Sequence, residues 1–186
     1  MTVPARWPWY GALAWTAAVI AAFVLAQVVF TAGYIAWLRP DGEEALARAF
    51  DAVGTDGDLL ALGSLVTTPF CLLALLVAVK SQPGATLADS LALHRTPAPV
   101  LLRWLAATAA FVIALDTLNL AMGRPLVPEF MREAHRTADS GLALLFVVVI
   151  VAPVFEELLF RGFLLTGLES SPLPVPARVA IASLAW

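Results

Sequence analysis

Residues 147–165 read VVVIVAPVFEELLFRGFLL, an apolar stretch that is interrupted by two adjacent glutamates, Glu156 and Glu157, and by Arg161. At the centre of a membrane-spanning helix each such charge costs roughly 2.5–3.5 kcal/mol, so three unpaired charges cost about 8–10 kcal/mol. A chain retains this arrangement when the charges pair, face water or take part in chemistry. The stretch therefore indicates a membrane helix and the place where a functional site is expected.

The composition of the whole chain is typical of a membrane protein. Of its 186 residues, 61% are hydrophobic and 13% are charged, against roughly 45–50% and 25% in soluble domains. The net charge is −3 and no basic stripe is present, so nucleic acid is not expected as a partner. The single cysteine, Cys71, excludes an intramolecular disulfide, and its apolar surroundings predict a small buried packing residue.

Four apolar segments have roughly the 20 residues that a helix needs to cross the hydrocarbon core. Helices are expected because open strands leave backbone groups unsatisfied in lipid. The first segment is longer than the roughly 7–15 apolar residues of a signal peptide, so we expect it to remain as a span. The sequence predicts an all-α, polytopic transmembrane helix bundle with spans over residues 10–38, 59–79, 100–122 and 141–168.

A fifth apolar segment begins near Val175 and still continues at Trp186, which makes it too short to span. We therefore expect a chain that is incomplete at its C-terminus and forms one membrane-embedded helical domain over residues 1–186. Short surface helices are predicted over residues 43–53 and 128–137, in the first and third loops.

The charged residues of the fourth span differ in their expected partners. Glu157 and Arg161 are four residues apart with the acid first, which favours an ion pair on one helix face, and arginine can make this pair bidentate. Glu156 points about 100° away, has no basic partner within this helix and follows Pro153, which removes a backbone hydrogen bond. A free carboxylate in an apolar bundle is a candidate general base. The alternative is that all three charges only join helices or line a polar cavity.

The motif Glu156-Glu157-x-x-x-Arg161, in the setting APVFEELLFRGF at residues 152–163, resembles the first signature of the CAAX-protease and bacteriocin-processing family. This family comprises the type II CAAX prenyl endopeptidases and their bacterial relatives. Its pattern usually has an aromatic residue before the arginine and a glycine after it, and Phe160 and Gly162 take those places here. The resemblance implies a multi-pass protein of a bacterial inner or plasma membrane.

The resemblance further implies an integral-membrane endopeptidase that cleaves peptide bonds near the membrane. In the family the first glutamate, here Glu156, helps a histidine to activate water for attack on a peptide carbonyl. The second glutamate and the arginine, here Glu157 and Arg161, support the site. No cofactor is expected, and because no His-Glu-x-x-His pattern is present, no zincin-type metal site is expected either. The implied partners are the lipid bilayer and a peptide or protein substrate, which can be lipidated.

The histidines of this sequence depart from the family pattern. Family members take one histidine from a Phe-x-x-x-His motif in the following helix, and a second histidine and an asparagine from a later helix. His94 and His135 both precede the glutamates, and neither follows an aromatic residue by four, so we expect ordinary surface or interfacial residues. Trp186 stands where the aromatic residue of the second motif is expected. The water-activating histidine is therefore predicted to lie outside this sequence.

Two other functions remain open. A non-catalytic relative would act as a membrane scaffold or as a binding protein similar to bacteriocin-immunity factors, and a transporter or channel fragment would use Glu156 and Glu157 as a proton or cation site. Three further polar residues within the spans, Gln27, Asp116 and Asn119, are predicted to hydrogen-bond between helices or to lie near the interface.

Overall fold

The computed structural model describes residues 8–82, 84 and 86–186, and these residues form eight helices and no strand. The all-α fold class is therefore confirmed, whereas residues 1–7 of the predicted domain lie outside the described part. The helices are α1 (Trp9–Leu38), α2 (Glu43–Ala52), α3 (Gly57–Lys80), α4 (Leu87–Ser90), α5 (Ala98–Ala121), α6 (Glu129–Thr137), α7 (Gly141–Leu168) and α8 (Val175–Ala185).

Within this described part, α1, α3, α5 and α7 are long and apolar enough to cross a membrane. Their bounds lie within two residues of the predicted spans. The two predicted surface helices are present as α2 and α6, and α8 is the shorter apolar helix at the end of the sequence. The hydropathy pattern thus predicts the helices closely, because span length is set by bilayer thickness.

The main core lies between α1, α3 and α7. Phe23 of α1 stacks on Phe155 of α7, with ring centroids 5.8 Å apart and 25° between the ring planes. Leu75 and Cys71 of α3 pack in the same cluster, and each is 1% exposed, which confirms Cys71 as a buried packing residue. Because lipid tails are as apolar as these side chains, close packing is what holds such helices together.

Small residues allow the closest helix contacts. A Cβ atom added at Gly167 of α7 would lie 2.2 Å from the Cβ of Ala12 on α1. Between α1 and α3, a Cβ at Gly63 would lie 3.0 Å from Oε1 of Gln27, so the Gln27 amide lies at this helix interface. Such small-residue contacts are characteristic of helix packing in membranes.

The helix α7 is not a uniform α-helix. It widens into π-helical turns over Val147–Val151 and Glu157–Leu164, on either side of the α-helical segment Ala152–Glu156. Pro153 lies in that segment, where its ring crowds the carbonyl four residues earlier, and the wide turn before it gives that carbonyl room. Wide π-helical turns are frequent at functional sites. One widened stretch thus directly precedes the segment that contains Pro153, and the second, Glu157–Leu164, follows that segment and contains Glu157 and Arg161.

The helix α6 is docked on the first turn of α3. The Thr137 hydroxyl accepts a hydrogen bond from the Gly57 N–H at 2.8 Å and donates one to the Thr55 carbonyl, also at 2.8 Å. The two backbones are so close that a Cβ at Gly57 would lie 2.0 Å from the Ala134 carbonyl oxygen. This contact fixes α6 across one end of α3.

Charged side chains cover the outer side of α6. The Arg136 guanidinium donates a hydrogen bond to Glu133 and thereby holds the pKa of the Glu133 carboxyl below its ordinary value. Arg132 makes a second ion pair with Glu129. The charged side chains of both pairs are partly or largely exposed, so this side of α6 is polar.

The helix α5 lies at the margin of the bundle, and none of its residues is buried. Asp116 is exposed and Asn119 is half-buried, so neither is enclosed between helices. The placement of this pair near the membrane interface remains a prediction. The Thr117 hydroxyl is bonded within α5 itself, to the Ile113 carbonyl at 2.7 Å.

We expect Thr137→Val to weaken the docking of α6, because the Gly57 N–H loses its acceptor. Such a hydrogen bond contributes about 1 kcal/mol, which in a chain of this size corresponds to a fall in Tm of roughly 2–4 °C. Thr117→Val is the matched control, since its hydroxyl bonds only its own helix. Thermal unfolding in detergent measures both variants, and equal Tm values would contradict the expectation.

Candidate active site

Glu157 and Arg161 form the ion pair that their spacing predicts. Nη1 of Arg161 lies 2.8 Å from Oε2 and 3.1 Å from Oε1 of Glu157. The geometry differs from the expected bidentate one, because a single guanidinium nitrogen serves both carboxylate oxygens. Both side chains are exposed, at 75% for Arg161 and 58% for Glu157, so the pair lies on an open face of α7. Pairing removes part of the free-energy cost of holding two charges within a membrane-spanning helix.

Glu156 has a hydrogen-bond partner that the helix itself does not supply. The indole Nε1–H of Trp186 donates to Oε2 of Glu156 at 2.8 Å. Trp186 directly follows α8, which runs back against the second half of α7. The expectation of a free carboxylate was therefore wrong in one respect: Glu156 lacks a basic partner in its helix, but it accepts a hydrogen bond from thirty residues further along the chain.

All three charged residues line one cavity of about 320 Å³ between α7 and α8. Trp186 and Ser183 line its α8 side. Helical spacing predicts that Glu156 points away from the Glu157–Arg161 pair, yet the packing of α8 gives the three side chains a common space. The motif thus forms one cluster of two carboxylates and one guanidinium, next to an indole N–H.

A second and larger cavity, of about 950 Å³, adjoins the first and is bounded by α3, α6 and α7. Most of its lining is apolar, with Phe130 and Met131 from α6 and Leu145 and Val148 from α7 among the contributors. Glu156 lines this cavity as well as the smaller one. Glu156 therefore lies where the smaller cavity, which holds the charged residues, meets a larger apolar one.

Gly162, the glycine that follows the arginine of the motif, allows another segment to approach. A Cβ at Gly162 would lie 2.7 Å from the carbonyl oxygen of Leu91, in the connection between α3 and α5. Leu91 is buried there and packs in the cluster that contains Leu159 and Phe163 of α7. The connection is thus held against the helix that carries the charged motif.

The two histidines have different surroundings. His94 is exposed, and its Nε2 lies 3.9 Å from Oδ1 of Asp89. His135 is also exposed, but its ring lies against Gly141 and lines the large cavity that Glu156 lines too. Residues 8–82, 84 and 86–186 contain no group of three or more His, Cys, Asp or Glu side chains placed to hold a metal ion.

The fold and the charged cluster define a class, a multi-pass α-helical membrane protein with a glutamate–arginine site in its fourth long apolar helix. The family model described as type II CAAX prenyl endopeptidase, Rce1-like, matches residues 138–186, which cover α7, α8 and Trp186. This match supports membership of the CAAX-protease and bacteriocin-processing family, which is a family of proteases. No curated protein and no solved structure matches the chain.

Proposed function

We propose that this protein is an integral-membrane endopeptidase that hydrolyses peptide bonds near the membrane, with Glu156 as the residue that activates water. The observation that carries the proposal is the place of Glu156 on the walls of both cavities. A carboxylate in that place can reach a water molecule in the smaller cavity, beside the other charged side chains, and a substrate segment in the larger apolar one. The family match over the same helix supports the assignment to proteases.

In the proposed reaction, the carboxylate removes a proton from water while the water oxygen attacks the carbonyl carbon of the scissile bond. The same proton is then delivered to the departing amine, so that the carboxylate is regenerated. A general base of this kind must come within about 2.6–3.2 Å of the water it deprotonates. As the resemblance implies, Glu156 acts together with a histidine, and that histidine is neither His94 nor His135.

The Glu157–Arg161 pair has a supporting role in this proposal. Because Arg161 is bound to Glu157 at 2.8 Å, the pair adds no net charge beside Glu156 and keeps a guanidinium at the wall of the small cavity. The guanidinium N–H groups that Glu157 does not bind can donate hydrogen bonds to the negative charge that develops on the carbonyl oxygen during attack. The cluster as a whole thus carries a single uncompensated carboxylate, that of Glu156.

A cleavage assay tests the proposal. The full-length protein is placed in proteoliposomes with two probes, an internally quenched farnesylated CAAX peptide and a mixture of unlipidated peptides, and products are identified by mass spectrometry. We expect cleavage of one or both probes at internal peptide bonds. Product formation no greater than in empty liposomes, with protein shown to be folded, would overturn the proposal and favour the scaffold or binding function.

A further inference from the structure

We propose that Trp186 is a positioning residue for Glu156. The indole N–H of Trp186 holds the Glu156 carboxylate in one orientation. This inference rests on the proposed function of Glu156 and adds a role that the charged motif does not contain. Its basis is the hydrogen bond of 2.8 Å between Nε1 of Trp186 and Oε2 of Glu156.

The packing of α8 fixes where the indole lies. Ala182 of α8 is buried against Leu164 and Leu168 of α7, each of which is fully enclosed. This contact sets the register of α8 one turn before Trp186. The indole therefore reaches Glu156 because two helices are packed in a fixed register.

Trp186 is 75% exposed, and its indole N–H donates to the Glu156 carboxylate. An indole has one N–H and no acceptor, so it can only donate to Glu156. A phenylalanine at the same position would keep an aromatic ring but has no N–H to donate to Glu156.

The hydrogen bond has a consequence for the chemistry of Glu156. A glutamate side chain has several rotatable bonds. Without a partner that holds the carboxylate in the reactive orientation, a smaller fraction of molecules has it in that orientation at any moment. The indole N–H lowers the basicity of Oε2, the oxygen that it binds, so Oε1 is favoured as the oxygen that takes a proton from water. Trp186 thus selects both the orientation of the carboxylate and the atom that acts as base.

Kinetics of Trp186→Phe in the full-length protein test this role. We expect kcat to fall roughly 10- to 100-fold with KM unchanged, because misplacement of a reacting group by about 1 Å can cost on the order of 10²-fold in rate. Trp104→Phe on α5 is the matched control, because Trp104 is similarly exposed at 70% and lies outside both cavities. Equal kcat values for the two variants, or a change in KM alone, would overturn the proposal.

An NMR measurement tests the contact without reference to activity. In protein labelled with ¹⁵N-tryptophan, one of the indole N–H peaks is absent from Trp186→Phe and is thereby assigned. Glu156→Ala, which removes the acceptor, is expected to shift that peak more than Glu133→Ala, which removes a carboxylate on α6. If the two variants shifted the Trp186 peak equally, the proposed hydrogen bond would be contradicted. A wild-type protein that cleaves no peptide would overturn the proposed function instead, while the NMR result still decides the contact.

Discussion

Glu156→Gln is expected to remove peptide hydrolysis almost completely, with kcat lowered by roughly 10²- to 10⁴-fold, the contribution of a positioned general acid–base group. The amide of glutamine cannot take a proton from water at neutral pH. Its carbonyl oxygen can still accept the hydrogen bond that Trp186 donates to Oε2 in the native protein. The substitution therefore removes the chemistry and leaves the contact between α7 and α8 in place.

Glu133→Gln is the matched control for this experiment. Glu133 is paired with Arg136 on α6 and lines neither cavity that contains Glu156. Both variants are compared with the wild type for kcat on the same peptide, and for Tm in detergent. Full activity in Glu156→Gln would exclude a role as base. If the Tm of Glu156→Gln were much lower than that of the wild type, its loss of activity would be explained by unfolding.

Gly162→Ala is expected to destabilise the protein, because the added Cβ would meet the backbone of Leu91. Its nearest atom would be the Leu91 carbonyl oxygen at 2.7 Å, followed by the Leu91 carbonyl carbon at 3.2 Å. Backbone atoms cannot move aside as a flexible side chain can. Overpacking of this kind costs about 1–3 kcal/mol, and in a chain of this size each kcal/mol lowers Tm by roughly 2–4 °C.

Gly33→Ala provides the comparison, since Gly33 also lies inside a membrane helix and no heavy atom would lie within 4 Å of its Cβ. Alanine is the better helix former by up to about 1 kcal/mol, so this variant is expected to equal or exceed the wild type in Tm. Thermal unfolding of the two variants in the same detergent measures the difference. A Gly162→Ala protein as stable as Gly33→Ala would mean that the close approach of Leu91 is not required.

The sequence predicts those features that depend on residues close together in the chain. Span length follows from bilayer thickness, and the four predicted spans agree with α1, α3, α5 and α7 to within two residues. The Glu157–Arg161 pair was predictable for the same reason, because residues four apart meet on one helix face. The roles of Glu156, Glu157 and Arg161 in catalysis remain predictions.

Features that depend on contacts between helices were not predictable from spacing. The bond from Trp186 to Glu156 joins residues thirty apart, and it exists only because α8 packs on α7 in one register. Nothing in the composition of the connection after α3 indicates that Leu91 would be held against Gly162. The place of Glu156 between two cavities likewise requires α3, α6 and α8 together. The sequence offered two signals for these contacts: the aromatic residue at Trp186 and the glycine at Gly162.

The contact between Gly162 and Leu91 has a practical consequence for where foreign sequence can be inserted. The connection after α3 is rich in proline, serine and glycine, which is the composition usually chosen for an epitope tag. Leu91 is buried and Ala92 has a φ of +51°, so lengthening the chain there would displace a packed segment. The turn after α5 is exposed at Gly123, Arg124 and Pro125, and exposed turns accept insertions best. A tag after Arg124 is accordingly the better choice for purification, labelling or antibody detection.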